Sequence, residues 1–218
     1  MYKRQITCDT NGEFNYSAVN NYAVNYANGE QIILLNNDIE IITNNWMEEM
    51  LMYSQREDVG AVGAKLYYPN DTIQHAGVIV GIKGVAGHSH QFMPRDTVGY
   101  MFRCYVPQDL SAVTAACVMM KKSVFKEVGG LDEEHFKVAF NDIDLCMKIR
   151  KAGYLVVWTP YAEAYHYESI SRGAEDTSEK QERFRGEVAA FMSKWKKELD
   201  MGDPYYCLLY TSDAADEL

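Results

Sequence analysis

The sequence lacks the cysteine pairs of a stapled or zinc-knuckled protein. Cys8, Cys104, Cys117, Cys146 and Cys207 are scattered with no C-x-x-C pair, which excludes a zinc ribbon and offers no disulfide framework. Reduced thiols in a cytosolic compartment are the simple expectation. No apolar run reaches membrane-spanning length, and the opening MYKRQITCDTNG has no apolar signal-peptide core, so the chain reads as soluble, or peripheral at most. Basic residues are in deficit: 21 Lys and Arg against 31 Asp and Glu give a formal net charge of −10. Binding a nucleic-acid backbone needs clustered cations, so that class of partner is set aside, whereas a small anion carried by a metal is not. No internal repeat is visible.

What is present suits one sizeable domain: 218 residues, 47% hydrophobic and 12% aromatic, enough for a real core. In residues 13–30, Ala18, Tyr22 and Tyr26 fall at helical spacing, with Ser17 as a weak cap and Gly29 as a stop. IILLNNDIEI follows, an aliphatic run ending in Asn36-Asn37-Asp38. Asn44 or Asn45 then caps a helix that carries Trp46, Met47, Met50 and Leu51 on one face. Two strands flank Pro69-Asn70-Asp71, and residues 81–100, rich in Gly and His, read as a long loop. AVTAACVMM resumes a buried strand, KKSVFKEVGG is a short helix, and FNDIDLCMKIRKAG is a helix capped by Asn141. A strand system ends near His166. Behind a Ser178-x-x-Gln181 capping box, Phe184, Val188, Phe191, Trp195 and Leu199 stripe a last helix. Its Lys and Arg leave a membrane surface open, although amphipathic helices of soluble domains usually bury their stripe. Alternating strands and helices give an α/β domain.

Three polar positions stand at element ends: Asp38 after a buried strand, Asp142 at a helix start, His166 after a later strand. In a doubly wound sheet such positions can converge on one crevice. A carboxylate and an imidazole make a partial site for a divalent metal, and the imidazole tilts the choice from Mg²⁺ toward Mn²⁺. Taken alone, Asn36-Asn37-Asp38 reads more readily as a turn, since Asn and Asp suit turns. Asp142 sits where the helix dipole favours its ionised form, as a general base requires; dipole complementation alone would also place Asp142 and Asp144 there. His75, His88 and His90 lack acidic neighbours and make a poor zinc set, so a loop near an acceptor is the better reading.

From FNYSAVNNYAVNYANGE through LLNNDIEIITNNWMEEML, QHAGVIVG, TAACVMMKKSVFKEVGGLDE and FNDIDLCMKIRKAGYLVVWTPYAEAYHYES to SRG, the chain resembles the family 2 glycosyltransferases of bacterial surface-polysaccharide synthesis. The likeness includes their rhamnosyltransferase-like members and spans residues 13–200. It implies a GT-A-like mixed sheet flanked by helices. Asn36-Asn37-Asp38 resembles the family's D-x-D motif, which makes Asp38 a ligand to the metal that carries the donor's diphosphate, with Asn36 where many relatives have Asp. Asn141-Asp142 resembles the E-D pair, making Asp142 the base on the acceptor hydroxyl and replacing the Glu by Asn141. His166 falls at a third-strand metal ligand, and Arg172 at a position that meets the diphosphate. Ser17, Asn21, Asn36 and Asn37 resemble donor-pocket positions; His88, Asp132 and Asp144 lie on the acceptor side. The implied reaction takes a sugar from a nucleotide-sugar donor to a saccharide or lipid-linked acceptor with inversion at the anomeric carbon. The implied location is the cytoplasm, with the inner membrane face left open.

The family normally opens with a P-x-Y-N strand and a D-x-S turn that hold the nucleotide base; neither motif occurs here, so the first strands are expected to be missing. Residues 1–200 are assigned to a partial transferase domain, and 201–218, ending CLLYTSDAADEL, to a tail that is non-native or disordered. A non-catalytic carbohydrate or partner-binding module on the same fold is the competing expectation, motivated by Asn at positions 36 and 141. A nucleotidyltransferase is a third, and it would need no base like Asp142.

Overall fold

The computed structural model describes residues 4–10, 12–167 and 177–206. Helix α1 (Tyr16–Tyr26) is capped by Asn15, whose side chain accepts from the Ala18 N–H at 2.9 Å, and not by Ser17. Strand β1 (Gln31–Leu35), strand β2 (Ile39–Ile41) and helix α2 (Trp46–Ser54) follow, then β3 (Val59–Tyr67), β4 (Ile73–His75) and β5 (Val78–Val80). The expected loop 81–100 is not featureless: β6 (Ala86–His88) folds back antiparallel on β5. After β7 (Gln108–Asp109) come β8 (Cys117–Lys121), α3 (Lys122–Glu127), α4 (Asn141–Lys151), β9 (Leu155–His166), α5 (Ser178–Lys194) and α6 (Lys196–Met201).

The main sheet has the order β1-β8-β3-β9-β2, with β4 added to β3 and β7 to β9. β8 is antiparallel to both β1 and β3, and β3 is parallel to β9. Strands β1, β3 and β9 therefore run the same way, and their carboxyl ends form one rim. β1 and β2 stand at opposite ends of the order, so the three residues joining them cross that rim. The register Ile39↔His166 then brings Asp38 against the end of β9. β9 contains Pro160, which cannot donate to a ladder; the pairing with β3 jumps there, from Gly63↔Trp158 to Lys65↔Glu163.

All nine residues of β3 are buried, as expected of a strand covered on both faces. One face packs Val62, Ala64 and Leu66 with Met50 of α2; the other packs Ala61 and Tyr67 in the larger core with Ile149 of α4 and Phe191 of α5. A Cβ added at Gly63 would lie 2.5 Å from Val113 Cβ, so hydrogen is the only side chain that admits this close approach.

Several expected caps differ. Phe140, in the left-handed region at φ 60°, precedes α4, and the Asn141 amide instead donates to the Val138 carbonyl at 2.6 Å. Thr177 caps α5 by accepting from Lys180 N–H at 3.3 Å. The stripe of α5 does pack inward: Phe191 is fully buried between Phe136 and Phe140, and Trp195, where α5 gives way to α6, is nearly so. The folded unit extends at least to Tyr206, beyond the expected boundary at 200: Asp203 accepts from Val80 N–H at 2.8 Å, and the Tyr205 carbonyl accepts from Arg103 at 3.4 Å. The rest of the expected tail lies outside the described residues. Among the described residues, no helix is long and apolar enough to cross a membrane.

Candidate active site

Asp38 and His166 meet on the carboxyl rim. Asp38 Oδ1 lies 3.2 Å from His166 Nε2, with both side chains largely buried. Asp38 Oδ1 is inaccessible to solvent and has no hydrogen-bond partner, an expensive state for a carboxylate oxygen. The contact is an ion pair only if the imidazole is protonated. In a neutral ring with its proton on Nδ1, a lone pair faces a carboxylate. Two cis donors on a cation at about 2.1 Å stand about 3 Å apart, so this carboxylate and imidazole fit a divalent metal. Among the described residues no three His, Cys, Asp or Glu gather into a group, so the protein's share of a shell would be these two ligands. Asn36 also reaches this corner, its Nδ2 standing 3.2 Å from His166 Nε2, while Asn37 is exposed in the turn. Both readings of the Asn-Asn-Asp triplet hold at once: it is a turn, and the turn delivers the acid.

Asp142 is tied to the same rim through one short segment. Its Oδ2 accepts from the Ala115 N–H at 3.1 Å and its Oδ1 from the Ile143 N–H at 2.9 Å, in the first turn of α4. The Ala116 carbonyl accepts from the Asn36 N–H at 2.9 Å. Residues 114–116 thus join the Asp38–His166 corner to the helix start, a link with no signature in the local sequence.

The same segment reaches the histidines. His75 is completely buried, and its Nε2 accepts from the Thr114 N–H at 3.3 Å. Burial holds the His75 pKa well below the usual imidazole value, with His88 and His166 adding to the effect, so the ring is neutral and its proton sits on Nδ1. That proton is donated to His88 Nδ1, 2.9 Å away. His88 in turn lines a cavity of about 330 Å³ walled by Ile79, Phe92, Met93 and Leu110.

Other expected site residues are consumed by the fold. Ser17, expected in the donor pocket, is fully buried and donates to the Phe136 carbonyl at 2.5 Å. Asn21, expected beside it, exchanges two bonds with the Leu131 backbone at 2.8 and 2.9 Å, pinning α1 to the loop after α3. Asp144, expected on the acceptor side, is fully buried; it accepts from Trp195 Nε1 at 2.9 Å and pairs with Lys194 at 2.7 Å and Lys148 at 3.2 Å. Asp132, also expected there, binds Lys194 at 2.9 Å and the His135 N–H at 3.0 Å. Burial alone would raise the Asp132 pKa, but the His135 N–H and Lys194 outweigh it and hold the carboxyl well below its usual range. These two acids anchor the end of α5. Arg172 lies outside the described residues.

Comparison with known proteins bears on the whole arrangement. A family model described as glycosyltransferase like family 2 matches residues 3–186. The chain belongs to that family. Among similar family members, an uncharacterised protein of Sinorhizobium fredii is 54% identical over 88% of the chain, and the O-antigen biosynthesis protein RfbC of Myxococcus xanthus 38% identical over 93%. An N-acetylglucosaminyl-diphospho-decaprenol L-rhamnosyltransferase of Mycobacterium tuberculosis is 30% identical over 51% of the chain. This family 2 chain spans only 21%, 16% and 36% of the lengths of these relatives. In fold it is similar to GalNAc-T7 solved with UDP, GalNAc and Mn²⁺, at TM-score 0.64 and 12% identity over 86% of this chain and 36% of that one. A mannosyltransferase of Pyrobaculum calidifontis, solved with GDP-Man and Mn²⁺, gives TM-score 0.51 and 14% identity over 81% and 42%. The expected GT-A fold, a mixed sheet flanked by helices, is therefore the fold of this chain.

Sequence reasoning gave no part to Gln74 or the 114–116 backbone, and weighed His75 only as a member of a poor zinc set. Gln74 and His75 stand in the quoted QHAGVIVG stretch, whose period-2 alternation was the available signal: they point to opposite sides of β4.

Proposed function

We propose that this chain is the transferase segment of an inverting, divalent-metal-dependent glycosyltransferase of surface-polysaccharide synthesis. Its donor is a nucleotide sugar and its acceptor a saccharide or lipid-linked saccharide; its place is the cytoplasm, with peripheral contact at the inner membrane face. The observation that carries this reading is the buried, unpartnered Asp38 oxygen 3.2 Å from His166 Nε2 on the rim where three strands end. Support comes from the relatives named for O-antigen biosynthesis and rhamnosyl transfer, and from fold neighbours solved with nucleotides and Mn²⁺.

Asp38 and His166 would hold the cation, with Mn²⁺ preferred over Mg²⁺ because one ligand is nitrogen. When bound, the metal supplies positive charge beside the leaving diphosphate. Asn36 and Asn37 line the donor side of this corner. Each Asp142 oxygen accepts one backbone N–H and keeps a further lone pair, so the carboxylate is oriented yet able to take a proton. The acceptor O–H breaks toward Asp142 as the oxygen bonds the anomeric carbon, and the bond to the diphosphate oxygen breaks on the opposite face. His88, which lines the cavity, would meet the acceptor.

A second reading, a binding module without turnover, draws on Asn36: its amide donates to His166 Nε2 at 3.2 Å and so competes for the lone pair a metal would use. One experiment separates the two. Mn²⁺-dependent release of nucleoside diphosphate is measured together with the product anomer. Transfer is expected, with kcat about 10²–10⁴-fold lower in Asp142→Asn at unchanged donor affinity. Undiminished turnover in that variant removes Asp142 from the mechanism; metal-dependent nucleotide binding without any transfer establishes the binding module.

A further inference from the structure

We propose that Gln74 is a positioning residue: it locks the His166 ring with its proton on Nδ1 and its Nε2 lone pair toward Asp38, and so sets the affinity of this corner for a divalent cation. The inference rests on the metal reading above and adds a residue to it.

Gln74 is the middle residue of β4, a strand added to the sheet through β3, and is almost completely buried. It touches His166 twice. Its Nε2 donates to the His166 backbone carbonyl at 3.3 Å, and its Oε1 stands 2.7 Å from His166 Nδ1. The directions of both bonds follow from the first. A backbone carbonyl can only accept, so the amide nitrogen must face it, and the amide oxygen must face the ring. An amide oxygen can only accept, so Nδ1 must carry the hydrogen. In the neutral ring Nε2 then carries no hydrogen: it accepts from the Asn36 amide at 3.2 Å and is the atom aimed at the unpartnered Asp38 Oδ1.

Without Gln74 the preference reverses. Asp38 Oδ1 would draw the ring proton to Nε2, forming a His–Asp hydrogen bond and blocking the lone pair. An acceptor on the far nitrogen of a metal-bound histidine fixes its tautomer and raises its basicity, and loss of such a partner typically costs about 10–100-fold in metal affinity. A plain tether between β4 and β9 would account for burial of Gln74 as well, but it would leave tautomer and affinity untouched when broken.

The test uses the 218-residue chain, its Gln74→Leu and Gln74→Glu variants, and Asp38→Asn as the ligand-loss control. Long-range ¹H–¹⁵N NMR of the metal-free proteins above about pH 8, where ordinary imidazoles are neutral, reads the His166 tautomer. Mn²⁺ alone is then titrated, with the free-ion EPR signal as the readout, and the thermal midpoint reports folding. We expect the Nδ1–H form in the parent chain, the Nε2–H form in Gln74→Leu, and Mn²⁺ binding weaker by about 10–100-fold in that variant. Gln74→Glu, which still accepts from Nδ1, should restore both. A Gln74→Leu chain that is folded but keeps the parent's tautomer, or changes tautomer with the parent's Mn²⁺ affinity, overturns the role of Gln74 alone. A parent chain in the Nδ1–H form that binds Mn²⁺ no better than Asp38→Asn overturns the metal reading, and the role of Gln74 with it.

Discussion

Asp144 is expected on the acceptor side, two residues from Asp142, and its environment says that it holds the end of α5 instead. Its carboxylate is fully buried and faces one indole N–H and two ammonium groups, with Lys148 and Lys194 side chains 19% and 35% exposed. Asp144→Asn keeps an oxygen for Trp195 and loses the charge pairing. Both lysines reach water and Lys194 retains Asp132, so the loss should be about 1–2 kcal/mol, between an exposed and a fully buried pair. Asp144→Leu also strands the Trp195 N–H, which adds about 1–3 kcal/mol and brings the total to about 2–5 kcal/mol. For a chain of this size each kcal/mol moves Tm by about 2–4 °C, so the leucine variant should melt about 4–20 °C lower. Thermal and urea unfolding followed by circular dichroism would read this, with the asparagine variant intermediate. The reasoning is refuted if both variants keep the parent's stability, and especially if they do so while losing transfer activity, which would return Asp144 to the acceptor site.

The neighbouring Asp132 gives a pH dependence. Its folded-state pKa is depressed, so its contribution is present above the carboxylate's usual pKa of about 4 and is lost as pH falls through the lowered folded value. The Tm gap between the parent and Asp132→Asn should therefore be constant near neutrality and shrink on acidification; a gap that widens in acid would contradict the assignment. Gly63→Ala should cost about 1–3 kcal/mol by overpacking Val113, measured as a lower urea midpoint with an unchanged slope. Burial pushes the Cys117 and Cys146 thiols up to about 12, so both should stay unlabelled by a disulfide reagent at neutral pH until denaturant is added; labelling in the native chain would show that the core around α4 and β8 opens.

Much of the architecture was legible because it is local. The run Gln31–Leu35, the amphipathic span of α4 and the stripe through Phe191 and Trp195 each carry a hydrophobic period that only one kind of element can bury. Caps were read less well: Asn15, Phe140 and Thr177 won over Ser17, Asn141 and Ser178 because which flanking residue caps depends on how the incoming chain turns, and that is set by what it packs against. The first strand-end acid, the helix-start acid and the distant histidine could all be picked out as element termini, since termini of parallel strands are where a crevice opens.

By itself the sequence determined the elements, their order and the short list of polar residues able to do chemistry. Only the tertiary structure decided which of them meet. Asp38 lies against His166 because the 36–38 link crosses the sheet to pair β2 with β9, a register spanning more than a hundred residues with no local trace. Ser17, Asn21, Asp132 and Asp144 have the same chemistry in sequence as site residues, yet packing spends their hydrogen bonds on the fold. Gln74, silent in sequence, acquires a part only because β4 lands beside the end of β9. Period is a property of neighbours along the chain; convergence is a property of strand order, which depends on contacts the chain makes only once it has folded.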